Sequence, residues 1–515
     1  MNWKRTRAAA LILALATEPL AAQAAQSGAG EPLSAIDWLS DSVSVPSPVI
    51  TPAPVAPPAA PVPSVTVLPL GAPVADDAGL FDAGDIGLTS DLWGGSSAKD
   101  LSRGFLSVPE ISTPTLREFF ASLALAKFDA PIDAAIDDSL YLTRLDSLLA
   151  LARLDDAEAL IEAAGPPTPQ SFRRSFDIAL LKGTENAACD VISTNPDISP
   201  TFPARIFCLA RNGEWDVAAL TLGTAEALGI LTPTEDQLLL HFLDPELFEN
   251  EPLLPRPPSI SPLLFRLYEA IGERPATENL PIAFAVADLS ETVGWRVRLR
   301  AAERLTAINA LTPEELLKVM SNRRPSASGG IWSRIAAIQS LRATLSVGNG
   351  TQISRTLPAS WDAAVAGGYH AALAPWIAEQ LEDVTLSRQA HHTAFEIALF
   401  SNDIDMARRY AGSSEEDQTL LAILTGAPFE IRNAAPLAIA VRRSLSGLAP
   451  SESYRMLLSD NRRGEALLRA VAVLAEGVDA DPNAVADALS LLMALNLDTL
   501  ARRVAAELLL ENSQI

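Results

Sequence analysis

The chain contains only two cysteines, Cys189 and Cys208, which could form a disulfide, a redox-active dithiol or part of a metal site. A catalytic dithiol normally has the tight Cys-x-x-Cys spacing, and two thiolates alone do not complete a tetrahedral zinc site. In an oxidising compartment, two cysteines pair by default. The sequence therefore predicts a structural disulfide, worth roughly 3 kcal/mol by the chain-entropy relation, with redox or metal chemistry as the alternative.

Two short motifs resemble pieces of known active sites. Ser96 and Lys99 match the Ser-x-x-Lys core of penicillin-recognising serine enzymes, but no Lys-Thr-Gly strand accompanies them. Glu452 and Ser453 are similar to the acid-serine start of lytic transglycosylase motifs, in which a buried glutamate protonates the glycosidic oxygen. The Gly-Leu-Met-Gln that completes that motif is missing. We interpret the first motif as a chance match and the second as a helix start or turn.

The histidines are the remaining candidates for chemistry: His241, His370, His391 and His392. Successive helical residues diverge by about 100°, so the adjacent pair is poorly placed to bind one ion, and His370 meets Glu396 only if folding joins them. No His-Glu-x-x-His, Gly-x-Ser-x-Gly, Walker or dinucleotide-binding motif occurs. The sequence therefore predicts no catalytic residue, no metal and no cofactor.

The N-terminus has the pattern of an export signal. Three basic residues precede nine apolar residues at 8–16, and Ala-Gln-Ala at 22–24 forms a small-x-small cleavage site. Nine residues are too few to cross a hydrocarbon layer of about 30 Å as a helix. We therefore predict a signal peptide over residues 1–24, no membrane span after its removal, and a periplasmic location, with full secretion as the alternative.

The composition is strongly acidic. The formal net charge is −24, and it becomes −26 without residues 1–24, because that segment carries three basic groups and one acidic group. Such a surface repels nucleic acid and anionic lipid and favours basic partners. We therefore exclude nucleic acid as a partner, while an acidic surface that serves only solubility remains the alternative to a surface that binds a basic partner.

Residues 25–43 form a predicted docking peptide. It contains the ten residues SAIDWLSDSV at 34–43, which are too few for a stable isolated helix, so we expect the segment to be disordered until it finds a groove. Its apolar positions follow helical spacing, with a tryptophan beside them: Leu33, Ile36, Trp38, Leu39 and Val43.

Two further segments separate this peptide from the helices. Residues 44–75 hold ten prolines, a composition typical of a disordered polyproline II linker. At ~3.1 Å per residue such a linker reaches on the order of 100 Å. Residues 76–112 are transitional and serve either as a second docking peptide or as a cap on the first helices.

From about residue 113 onwards, short Ala/Leu-rich segments alternate with turns, and apolar residues recur at i, i+3 and i+4. A Pro-rich break at 244–262 separates a first helical lobe, 113–243, from a second lobe, 263–515. We predict an all-α fold without strands. Five prolines fall near predicted helix ends: Pro275, Pro313, Pro358, Pro450 and Pro482.

The helical zone contains a weak repeat in which an acidic residue is followed two positions later by alanine. The pairs are Asp155–Ala157, Glu185–Ala187, Asp216–Ala218 and Asp405–Ala407, with an echo at Thr499–Ala501. An acid at a helix start can bond free N–H groups, and a small residue lets a neighbouring helix approach. The pattern resembles tetratricopeptide-like repeats, although the spacing is shorter than 34 residues and the aromatic signature is absent. The resemblance implies an α-α superhelix, a helical-repeat solenoid.

Five tryptophans lie in apolar helical patterns and are interpreted as core residues, or alternatively as residues that stack on sugar rings. They are Trp215, Trp295, Trp332, Trp361 and Trp376.

These features predict a non-enzymatic periplasmic adaptor or scaffold. The concave face of residues 263–512 would bind one envelope protein, while the tethered peptide engages another. The alternative is a peptidoglycan-associated module, because soluble lytic transglycosylases carry a similar Ala-rich superhelical region; the catalytic domain is absent here. A hydrolase with an unrecognised motif is a minor alternative.

Overall fold

The structure, a computed structural model, describes residues 74–134, 139–248, 252–430 and 435–513. The predicted signal peptide lies outside the described residues, as does the predicted docking peptide with Leu33, Ile36, Trp38, Leu39 and Val43. All but the last two residues of the predicted linker also lie outside them. The described residues belong to one compact unit.

Helices make up nearly all of the regular structure, and the predicted all-α fold is confirmed for the described residues. The first ten α-helices are α1 (Ala98–Leu106), α2 (Pro114–Leu125), α3 (Ser139–Ala150), α4 (Leu154–Ala163), α5 (Pro169–Lys182), α6 (Glu185–Thr194), α7 (Phe202–Arg211), α8 (Trp215–Ala227), α9 (Pro233–Leu243) and α10 (Pro262–Ala270). The remaining α-helices are α11 (Trp295–Ala307), α12 (Pro313–Ser321), α13 (Ile331–Val347), α14 (Gly350–Ala366), α15 (His370–Leu381), α16 (His391–Ser401), α17 (Ile404–Tyr410), α18 (Glu415–Thr425), α19 (Pro436–Leu445), α20 (Glu452–Ser459), α21 (Arg463–Ala475), α22 (Pro482–Ala494) and α23 (Asp498–Ser513).

Short 3-10 helices fill several of the connections: Ala75–Asp77, Ala83–Ile86, Pro196–Ile198, Thr277–Asn279, Ile282–Leu289, Arg388–Ala390 and Gly477–Asp479. The strands among the described residues are β1 (Phe81–Asp82) and β2 (Ala126–Lys127), a parallel pair two residues long. The sequence predicted no strand. The two segments can approach because residue 79 is glycine: a Cβ atom there would lie 2.4 Å from the backbone nitrogen of Lys127.

Many helix starts are determined by residues at the start itself. Thr168, Thr232 and Thr312 each accept a hydrogen bond from the third residue of their helix, and each is followed by proline at the first helical position. Proline suits that position because its missing N–H would have no partner there. Pro313 and Pro482 begin helices in this way.

Pro358 differs from the prediction, because it lies inside α14 and does not mark a helix end. A proline in a helix leaves the carbonyl four residues earlier without its usual donor. Here that carbonyl belongs to Ser354, and the side-chain amide of Gln389 donates to it at 3.1 Å. A residue from a neighbouring segment therefore compensates for the break.

The alanines of the repeat lie mostly in helix contacts. Ala157, Ala218, Ala407 and Ala501 are fully buried, whereas Ala187 is exposed and the next residue packs inward in its place. The paired acids lie in the first turn but do not cap α4, α6 or α8. Their contribution is therefore to the helix dipole rather than to capping.

Two separate hydrophobic cores organise the described residues. The larger core, here the main core, draws on residues from Ala83 to Leu508. A smaller core draws on residues from Phe172 to Tyr268 and contains both cysteines. We call the helices around this smaller core, α5 to α10, the disulfide lobe.

Ionic contacts accompany the packing between the disulfide lobe and the main core. Glu269, at the end of α10, pairs with Arg266 and with Arg274. Arg274 in turn pairs with Asp288 at 2.5 Å, and Asp288 lies in the 3-10 helix whose apolar residues enter the main core.

The two ends of the described chain meet in the main core. Trp93 is fully buried, with its ring 4.7 Å from that of Phe128, and it packs against Gly464 on α21. The amide of Gly464 donates to the carbonyl of Leu92 at 3.0 Å. The segment that precedes α1 is therefore built into the same core as the last helices.

A buried arginine joins the first elements. Arg144 on α3 is fully buried, and its guanidinium donates to the backbone carbonyls of Asp76, Ala124 and Ala126. Burial lowers the pKa of Arg144 to about 10, so the group remains charged at neutral pH. The described part of the chain contains no helix with both the length and the apolar character that a membrane span requires.

Candidate interaction surface

The two cysteines are joined. Cys189 on α6 and Cys208 on α7 form a disulfide, with their Cα atoms 4.9 Å apart, and both residues are buried. The predicted disulfide is therefore confirmed. Because its sulfurs are shielded from solvent, its role is to hold two neighbouring helices of the disulfide lobe together, and a disulfide of this kind fits an exported protein.

The two enzyme-like motifs are not assembled into active sites. Ser96 is buried, whereas Lys99 is exposed on α1. Ser97, between them, caps α1. Glu452 is exposed in the first turn of α20, so it lacks the burial that a general acid requires.

The adjacent pair His391 and His392 diverges as expected, and His370 lies in a separate aromatic environment. His391 lies near the carbonyl of Leu386, whereas His392 is exposed and lies 3.6 Å from the carboxylate of Glu396. Burial lowers the pKa of His370 to about 4, and its ring packs edge-on against Trp361. Among the described residues no cluster of three or more potential ligands could hold a metal ion.

His370 and Glu396 do approach a common residue. Burial raises the pKa of Glu396, and a hydrogen bond from Trp361 partly opposes that rise. Trp361 is itself buried against the ring of Phe400. The cluster is an aromatic packing unit at the α14–α15–α16 junction, with a neutral imidazole at physiological pH.

Large apolar side chains are exposed mainly in one part of the chain. Of the fifteen that are exposed among the described residues, nine lie between Val191 and Leu253. They are Val191, Phe202, Trp215, Val217, Leu220, Leu228, Leu240, Leu247 and Leu253. Exposed apolar side chains mark an interaction surface where they are contiguous in space, and in this stretch α8 carries several of them on one face.

Helix α8 is the centre of this exposure. Its only buried residues are Ala218, Leu222 and Ala225. One outward face carries residues at helical spacing, which we call the α8 stripe: Val217, Leu220, Thr221, Thr224 and Leu228. Leu220 at its centre is 73% exposed.

The α8 stripe is uncharged, and the hydroxyls on it are already bonded within the helix. Thr221 donates to the carbonyl of Val217 at 2.7 Å, and Thr224 donates to that of Leu220 at 2.8 Å. Because both hydroxyls bond to the turn before them, the threonines add little unsatisfied polarity to the face. The stripe is therefore apolar in effect along three turns.

Trp215 departs from its predicted place in the core. It is 50% exposed at the start of α8, with its ring 6.1 Å from that of Phe242. Phe242 also stacks on Phe207 at 5.7 Å. The other four tryptophans of the prediction are buried or partly buried in the main core.

The stretch of chain that contains the stripe is acidic. Between Asn212 and Phe248 the chain has no lysine or arginine. The acidic residues of that stretch are Glu214, Asp216, Glu226, Glu235, Asp236, Asp244 and Glu246. The preceding basic residue, Arg211, pairs with Glu185 at 3.1 Å.

A groove adjoins this surface. It has a volume of ≈ 650 Å³ and lies between the disulfide lobe and the main core. Phe207 and Phe242 line it, together with Lys182 and Arg266. Trp215 contacts Phe242, which also lines the groove.

A second cleft, of ≈ 770 Å³, lies where the start, middle and end of the described chain meet. The carboxylate of Glu507 in this cleft already has structural partners, because it accepts hydrogen bonds from the backbone and hydroxyl of Thr115. Burial raises the pKa of Glu507 and lowers that of Arg503 beside it. These hydrogen bonds connect α2 to α23 across the cleft.

Buried charged groups connect the disulfide lobe to α3. Arg174 on α5 donates two hydrogen bonds to Asp146 on α3, at 2.5 and 2.6 Å. Beside this pair, burial raises the pKa of Asp177 to about 7, against the opposing charges of Arg173 and Arg174.

Comparisons of the chain with protein-family models, with curated proteins and with solved structures find no match. The likeness to tetratricopeptide-like repeats therefore stays a prediction from the repeat pattern. Sequence reasoning missed the α8 stripe, although one signal was present: α8 carries apolar residues on every side, which a helix at a surface does not need.

Proposed function

We propose that this protein is a non-enzymatic adaptor of the bacterial periplasm that binds a protein partner through the disulfide lobe. Three observations support the proposal: the all-helical architecture, the exposed positions of Lys99 and Glu452, and the buried disulfide. The export pattern of residues 1–24 supports the location.

The single observation that carries the proposal is the α8 stripe. An exposed leucine alone has no significance, since folded proteins expose much apolar area. Here, however, Val217, Leu220 and Leu228 share one uncharged face of one helix. A helix in a monomeric protein normally buries its apolar face, so this one is suited to an external partner.

Site-specific photo-crosslinking in living cells tests the proposal. A photoreactive residue at position 220 is expected to yield a discrete crosslinked product. The control position is 347, because Val347 is 69% exposed but lies in the main-core part of the chain, away from the lobe. Equal crosslinking from both positions, or none from 220, would contradict partner binding by the lobe.

The predicted docking peptide gives the adaptor a second contact. We expect deletion of residues 25–45 to remove one set of copurifying partners while the crosslink from position 220 persists. An unchanged set of partners after the deletion would count against a docking role for Leu33, Ile36, Trp38, Leu39 and Val43.

The exposed ring of Trp215 favours a second candidate function, binding to peptidoglycan, because aromatic faces stack on sugar rings. Cosedimentation with purified sacculi distinguishes the two functions. A protein that sediments, and that stays in the supernatant when it carries Trp215→Ala, would be a cell-wall module. An adaptor remains in the supernatant in both forms.

A further inference from the structure

Resting on the adaptor function proposed above, we infer that the α8 stripe binds a basic amphipathic helix from another protein. Such a helix carries leucine-like residues on one face and lysine or arginine at the edges of that face.

The apolar part of this partner follows from the stripe itself. Val217, Leu220, Thr224 and Leu228 recur at three- and four-residue intervals along one line, so the complementary surface is a second apolar line of similar length. An amphipathic helix presents such a line, with anchors at i, i+3, i+4 and i+7.

The charge of the partner follows from the surroundings of the stripe. On α8 itself, Asp216 and Glu226 are both exposed, and by helical spacing both lie on the side of the apolar line away from the buried face, with Asp216 the nearer of the two. The whole stretch from Asn212 to Phe248 has seven acidic residues and no lysine or arginine. A partner with basic edges gains from this field during association, whereas an acidic partner is repelled.

The same field disfavours two other occupants. A second copy of the chain would bring the same seven acids against themselves. The predicted docking peptide carries Asp37 and Asp41 beside its apolar positions and has no basic residue between 25 and 43. Charge therefore favours a different protein with basic edges.

Two labelled model peptides test the inference by fluorescence anisotropy with the chain from residue 25 onwards. One peptide is a Leu/Lys amphipathic helix of the length of α8, and the other has the same leucines with glutamate in place of lysine. We expect the Leu/Lys peptide to bind and the Leu/Glu peptide to bind at least about ten-fold more weakly. Equal binding of the two would refute the charge requirement.

The variant Leu220→Glu separates apolar docking from simple charge attraction. It makes the surface more acidic, so nonspecific attraction of a cationic peptide would rise. Apolar docking would instead weaken by roughly ten-fold or more, because burial of a leucine accounts for one to two decades of affinity. Val347→Glu is the matched control, with the same added charge on an exposed apolar position elsewhere. If both variants bind alike, the stripe is not the site.

Further measurements test the two alternative occupants of the α8 stripe and distinguish a failure of this inference from a failure of the adaptor function. If the full chain self-associates and Leu220→Glu abolishes the association, the stripe binds a second copy of the chain. Tighter peptide binding after deletion of residues 25–45 would assign it to the chain's own segment. A specific crosslink from position 220 without Leu/Lys binding would overturn the basic partner alone, whereas peptide binding without any cellular crosslink would overturn the adaptor function.

Discussion

Asp177 is a buried carboxyl group whose ionisation is linked to the folding of the disulfide lobe. Burial raises its folded-state pKa from 3.8 to about 7, so the folded lobe keeps the proton that an unfolded chain releases. The stability that this proton contributes is complete below the unfolded pKa, and it is lost as pH rises towards 7.

We therefore predict that Asp177→Asn removes this pH dependence. Between pH 4 and pH 7 the unfolding free energy of the variant should rise relative to the unmodified protein by roughly 1 kcal/mol per pH unit. Urea denaturation across that range measures it. Asp190→Asn, at an exposed position on α6, is the control and should show no such trend. Parallel profiles for Asp177→Asn and the unmodified protein would refute the assignment.

For individual residues, the sequence predicted a contact correctly where a side chain had only one possible bonding partner. Cys189 and Cys208 had no other cysteine to bond. The exposure of Trp215 was not predictable in the same way, because its apolar neighbours in the sequence are equally compatible with a core position. Its environment depends on how far other elements cover that side of α8; Phe242 contacts the ring, which stays 50% exposed.

The disulfide between Cys189 and Cys208 connects helices α6 and α7. Replacing both cysteines with serine opens a loop of 19 residues' separation and should cost about 3 kcal/mol by the chain-entropy relation. We expect hydrogen exchange to accelerate in α6 and α7 while α21 and α22 keep their protection. Uniform acceleration throughout the chain would show that the lobe has no stability of its own.

Two helical glycines should respond in opposite ways to alanine. At Gly464 a Cβ atom would lie 2.4 Å from the ring of Trp93, so Gly464→Ala should destabilise by about 1–3 kcal/mol through overpacking. At Gly223 on α8 no atom lies within 4 Å, so Gly223→Ala should stabilise by about 0.5–1 kcal/mol through helix propensity. Chemical denaturation measures both variants: a stabilised Gly464→Ala would contradict the packing at Trp93, and a destabilised Gly223→Ala would contradict the open space at Gly223.

Helix boundaries were predictable wherever the signal was local. A threonine or serine followed by proline specifies a cap and a first turn within four residues, as at Thr312 and Pro313. Pro358 shows where this reasoning stops, because the helix continues through it. The compensating donor, Gln389, lies 31 positions along the chain, and no local rule connects the two.

For the whole molecule, the buried ring of Trp93 connects the two ends of the described chain. Trp93→Ala should cost about 3–5 kcal/mol, the usual range for a large aromatic removed from a core. We expect lost exchange protection in α1 and α21, and retained protection in α6 to α8, because the disulfide lobe has its own core. Leu220→Ala is a suitable control and should be nearly neutral, since that side chain is exposed. A loss spread equally over both cores would show that they unfold as one unit.

Closure of the chain on itself is a property that the repeat pattern did not predict. Tetratricopeptide-like repeats imply an open superhelix, in which each unit contacts its neighbours. Here α2 contacts α23 as well as α3, and Glu507 bonds to Thr115 across 392 positions. The contacts of the described chain therefore include pairs of helices far apart in sequence as well as neighbouring ones.

The amino-acid sequence by itself determined the helical class, many of the helix starts, the cysteine pairing and the acidic charge. The helical class and the helix starts depend on neighbouring residues, the charge depends on composition, and the cysteine pairing has only one possible form because the chain has two cysteines. Only the tertiary structure decided that Arg144 and Trp93 are buried and that Leu220 is not. Burial is set by contacts between residues far apart in the chain, and the same apolar pattern serves equally well for a covered face and an open one.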